Sequence, residues 1–97
     1  MIEKEGDSRL IAKAGAVTLT YYSSTLLHHM WNVGAEYAGC SIVAMVIRQS
    51  HTPYNSVTNL SCNPIDSAGN AEIVANGSGF VSGHLLSVYY MIAGHAQ

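Results

Sequence analysis

Past residue 15 the chain reads as a series of short apolar or alternating stretches, separated by clusters of Gly, Pro, Asn and Ser. Residues 16–22 set Val17, Leu19 and Tyr21 against Thr18, Thr20 and Tyr22, the period-two pattern of a strand with one buried face. Residues 26–31 fit either a strand or a single helical turn, ended by Asn32, Val33 and Gly34. Residues 41–48 form an unbroken apolar run rich in β-branched side chains, which predicts a strand covered on both faces. Residues 57–62 predict a short strand. Residues 71–75 predict an edge strand, with Glu72 charging the edge against further pairing. Residues 76–79 have hairpin-turn composition, and residues 84–93 give a last, almost wholly apolar strand.

The connections at 49–56, around Pro53, and at 63–70, around Pro64 and Gly69, concentrate turn formers. Several short strands, glycine in the connections and no amphipathic helix together predict an all-β fold: a compact antiparallel sandwich or jelly-roll-like domain.

Charge divides the chain unevenly. Glu3, Lys4, Glu5, Asp7, Arg9 and Lys13 fall within residues 1–13, whereas the remainder holds only Glu36, Arg48, Asp66 and Glu72. Residues 1–13 therefore read as a charged N-terminal lead or the stub of a shaft, and 14–97 as a single β domain, the size of one modest core. A net charge of −2 and scattered Lys and Arg offer no field for a phosphate backbone, which argues against nucleic acid. No apolar run approaches the roughly 18–20 residues a membrane-spanning helix needs, and the first residues are unlike a signal peptide. The expectation is a soluble protein made in a cytoplasm, without membrane insertion.

Only 10% of the residues are charged, although soluble surfaces usually carry about a quarter to a third. Together with the two runs that read as covered on both faces, this predicts self-association: a homo-oligomer, a trimer if the protein is fibrous in origin and otherwise a symmetric dimer.

Candidate chemistry is sparse. His28, His29 and Trp31 form the densest cluster, but adjacent histidines on a strand point to opposite faces and cannot chelate one ion together. Neither HxH nor HExxH occurs, so no metal or other cofactor is expected. There is no Gly-x-Ser-x-Gly elbow for a nucleophile. Cys40 and Cys62 match no metal or redox spacing and read as free thiols. Ligand binding is the more natural use of what is present: His51, Tyr54 and Asn55 in the Pro53 loop, with His28, His29 and Trp31, supply aromatic rings and adaptable polar groups. The plainer alternative places Trp31 in the core and makes the Pro53 loop a connection.

The uncharged, Gly/Ser/Asn-punctuated apolar strands that end in residues 79–93, including Gly79, Phe80, Gly83, His84, Tyr89 and Tyr90, resemble the compact trimeric tip domains of bacteriophage tail fibres. The histidine pairs that hold iron in some of those tips have no counterpart here. The resemblance implies a non-enzymatic homotrimer of the virion tail that binds a bacterial cell-surface glycan or protein through its loops. Two alternatives stand beside it: a small β-barrel or cupin-like metal-dependent enzyme, and a structural or inhibitory binding protein.

Overall fold

The computed structural model describes residues 9–49 and 56–96. Six strands account for most of them: β1 (Leu10–Ser23), β2 (Leu26–Asn32), β3 (Ser41–Gln49), β4 (Ser56–Asn63), β5 (Asn70–Ser78) and β6 (Leu85–His95). A single 3-10 turn, Ala35–Tyr37, lies between β2 and β3. Every pairing is antiparallel, and the order β3-β6-β1-β2-β5-β4 makes one sheet. Its terminal strands, β3 and β4, come close to one another without a ladder between them, so the sheet is a nearly closed barrel. The all-β antiparallel expectation holds, with one curled sheet supplying both walls of the core.

Side-chain alternation explains the closure. Leu19 on β1, Leu27 on β2, Ile73 on β5 and Leu86, Val88 and Ile92 on β6 all point inward and are fully buried. Phe80, Ile65, Val33 and Tyr90 join them. Each such aliphatic side chain removed from water stabilises the fold by about 1.5–3 kcal/mol, and a flat sheet could not bury them without a second layer. His84 is also fully buried, with its ring edge-on to Phe80 at 5.0 Å between centroids.

Two glycines let the wall close. Gly15 points inward on β1 opposite Tyr90, and a Cβ there would stand 3.0 Å from the Tyr90 hydroxyl oxygen. The tyrosine ring occupies the space that the missing side chain leaves. At the other site, Gly69 has a φ of +91° and presses on the Gly34 carbonyl, where any side chain would collide with backbone. Gly69 belongs to a polar knot at one end of the barrel. Asp66 Oδ1 accepts from the Ala68 and Asn70 amides, both at 2.9 Å. Asn32 Nδ2 donates to the Ala68 carbonyl at 2.9 Å and to Asn70 Oδ1 at 3.1 Å. The amide and side-chain bonds from Asn70, then those from Ala68 and Gly69, hold the Asp66 carboxyl below its ordinary range.

Several sequence expectations need adjustment. The β5 strand lies between β2 and β4, so it is not an edge, and Glu72 sits on its outer face instead of guarding a free rim. The segment read as a hairpin turn at 76–79 is mostly strand, because β5 continues through Ser78 and the reversal falls just after it. The last four residues of the charged lead, 10–13, are part of β1. The strand reading for residues 26–31 is the one realised, as β2.

Candidate functional site

The strand geometry of β2 splits the sequence-derived cluster. Leu27, His29 and Trp31 share the inward side, whereas His28 and Met30 point out. Trp31 packs edge-on against Tyr90 at 5.0 Å between centroids and flanks His29 at 5.2 Å. Trp31 is thereby a wall of the core, as the plainer reading had it. Burial, and secondarily the nearby His28, push the His29 pKa below its usual value, so the neutral ring is favoured there. His51, Tyr54 and Asn55 lie outside the described residues.

His28, on the outside, is the centre of a different group. Its Nδ1 lies 3.1 Å from Glu72 Oε2, and the Tyr22 ring stands edge-on to it at 5.1 Å between centroids. Asn63 Nδ2 donates to the other Glu72 oxygen. Further along the same face, Asn76 Nδ2 donates to Asn59 Oδ1 at 3.0 Å. The outer face of β2-β5-β4 therefore presents imidazole, carboxylate and carboxamides around the apolar Met30 and Val74, bordered by an exposed Tyr22. Sequence reasoning missed Tyr22, Asn59, Asn63, Glu72 and Asn76 as a set. The available signal was the alternation of Glu72 and Asn76 with Ile73 and Ala75, which places both outward, but their neighbours on other strands are set by register alone.

The outer face of β3-β6-β1 is its opposite. The registers place Val43, Met91 and Ala14 side by side, and then Met45, Tyr89 and Ala16. Val43, Met45, Tyr89 and Met91 are each 52–64% exposed, and Leu85 extends the patch toward the β1–β2 turn. A groove of about 590 Å³ runs across these residues, floored by the two alanines. None of the residues that line the groove is charged, and Arg48, opposite Ser87 in the register past the bulge of β3, ends the uncharged stretch on this face. The apolar runs that read as covered on both faces are thus covered on the inner face alone within one chain.

Cys40 and Cys62 are free thiols, and both line a cleft of about 340 Å³ between β3 and β4. Cys40 Sγ points to the His95 carbonyl at 3.6 Å. Burial raises the Cys62 pKa, which keeps that thiol protonated and unreactive near neutral pH. Among the described residues no three His, Cys, Asp or Glu side chains converge in a metal-binding cluster. No described helix is long and apolar enough to cross a membrane.

The chain matches no protein-family model, no curated protein and no solved structure.

Proposed function

We infer that the chain is a non-enzymatic recognition module that works as a homo-oligomer. The observation that carries this reading is the uncharged apolar patch around Val43, Met45, Tyr89 and Met91 on the outer face of β3-β6-β1. These side chains are each more than half exposed and lie side by side, and a contiguous exposed apolar patch of that kind marks an interaction site. A second copy is the occupant that the chemistry favours. The face is self-complementary in kind, with Met and Tyr ridges beside an alanine floor, and it lacks the charges a changing set of partners would read.

The polar face of β2-β5-β4 is left for an external ligand. Carboxamide, imidazole and carboxylate groups beside an exposed aromatic ring suit the hydroxyls and ring faces of a sugar, in keeping with a fibre tip that meets a cell-surface glycan or protein. Tyr22 and Glu72 take the place of Trp31 in this reading, because Trp31 is committed to the core.

Sedimentation at micromolar concentration tests the assembly. Discrete oligomers are expected, and a wild-type protein that sediments as single chains overturns it. Binding of the assembled protein to immobilised glycans tests the ligand face. Loss of binding in Tyr22→Ala is the expected result, and full retention in both Tyr22→Ala and Glu72→Gln overturns the site.

A further inference from the structure

The pairing of β1 is lopsided. On one side it runs beside β6 without interruption from Leu10 to Thr20. On the other, β2 pairs with it only from Thr20 to Ser23, around a bulge, and then turns away to follow β5 through Asn32. Inside the barrel the resulting gap is closed by Trp31 against Tyr90. Outside it, residues 10–18 of β1 form an open sheet edge.

The direction of the backbone groups on this edge follows from one bond. The Ala96 amide donates to the Arg9 carbonyl at 2.9 Å, and these two residues extend the β1–β6 register. In an antiparallel ladder, bonded pairs recur at every second residue. Odd-numbered residues of β1 therefore direct their N–H and C=O toward β6, and Leu10, Ala12, Ala14, Ala16 and Thr18 direct theirs to the open side. Among the described residues none of these groups has a partner. Their side chains are small or exposed, and no proline interrupts them.

We propose that this edge is a site for β-strand addition by the same edge of a second copy, running antiparallel about a twofold axis through Ala14. Three features select that arrangement. The open segment 10–18 is symmetric about residue 14, so this register pairs all of it: Ala14 with the partner's Ala14, Ala12 with the partner's Ala16, Leu10 with the partner's Thr18. It also keeps Lys13, the single charge on the segment, from facing its own copy; moving the axis to residue 13 would set lysine against lysine. On the inner side it matches Ile11 with the partner's Val17. A long open edge is otherwise an aggregation hazard that proteins blunt with charge, proline or a cover, and here a second copy supplies the cover.

The edge adjoins the apolar face and shares Ala14 and Ala16 with it, but it presents backbone groups, and its use does not depend on the face packing. If both operate, the edge joins chains into pairs and the face joins pairs into fours, a common symmetric form. The twofold axis departs from the trimer that the fibre-tip resemblance implies.

The test separates the two surfaces. Ala12→Pro removes an edge N–H that bonds nothing among the described residues and lies outside the groove, and it should halve the sedimenting mass while the circular dichroism of the fold stays. Met45→Glu acts on the face alone. An unchanged mass in Ala12→Pro overturns the edge pairing even where Met45→Glu dissociates the protein, and the converse result leaves the edge standing without the face. Amide hydrogen exchange provides a readout that needs no variant. A free edge gives alternating rates along β1, with Lys13, Gly15 and Val17 slow and Ala12, Ala14 and Ala16 fast. The paired edge makes both sets slow at concentrations where the protein associates. Alternation that persists in the assembled wild type overturns the proposal.

Discussion

The outer surfaces of the two halves of this barrel are built on the same inner lining and yet differ in almost every other respect. The β2-β5-β4 half obeys the alternation of a sheet with one wet face: Ile73 and Ala75 go in, Glu72 and Asn76 go out, and the outward groups find hydrogen-bond partners on neighbouring strands. The β3-β6-β1 half keeps the inner alternation and abandons the outer one, so that Val88 and Ile92 are buried while Tyr89 and Met91, between and beside them, stand in water. Closing the barrel requires only the inner set. The outer apolar set forms cross-strand pairs but is not needed for that closure.

The comparison can be broken most severely by charge. Met45→Glu combined with Met91→Glu should weaken association about 100-fold or more, while Val74→Glu on the polar half leaves it within about 3-fold. Sedimentation equilibrium measures both, and equal losses on the two halves would erase the distinction. A second large effect belongs to the shared interior. Trp31→Ala should lower stability by about 3 kcal/mol, read by urea unfolding, because it strips the ring that faces Tyr90 across the β1–β2 gap. Ligand binding by the folded fraction should be unchanged, in contrast to Tyr22→Ala.

A smaller effect is tied to pH. Burial lowers the His29 pKa in the folded state, so the unfolded chain takes up the proton first as the solution is acidified. The contribution is complete above the ordinary histidine value of about 6.5 and is lost as pH falls through the lower folded value. Melting temperatures recorded from pH 8 to pH 5 should decline in the wild type, and His29→Gln should flatten that part of the decline. The smallest expected change is Glu72→Gln. It replaces a partly exposed His28–Glu72 pair and should cost about 0.5–1 kcal/mol by thermal melt, without altering the oligomer.

Much of the fold was legible from residue pattern because strands leave local marks. The alternation around Val17 and Leu19, the apolar run ahead of Arg48 and the last run through Met91 each became a strand of the sheet. Pairing order left no such mark. Glu72 looks like an edge charge in sequence, and only the ladders to β2 and β4 show that it decorates an interior strand. The same limit applied to the candidate site. His28, His29 and Trp31 are neighbours along the chain, but strand geometry sends them to two sides of the wall; the residues that do gather around His28 come from β1, β4 and β5, brought there by register. Low charge was the one global property that carried over directly, since it forecast an outer surface short of charge without saying which strands would present it.

The longest ladder in the barrel has a consequence in time. It joins residues 10–20 to residues 85–95, the first strand to the last. A nascent chain therefore cannot close its central wall until residue 95 has left the ribosome, and β1 must wait with its apolar side chains and unpaired edge uncovered. Loop closure on that scale places folding in the slow range of milliseconds to seconds typical of non-local β topologies. A chaperone that holds β1 during synthesis would guard the same strand whose open edge we propose as the meeting point with a second copy.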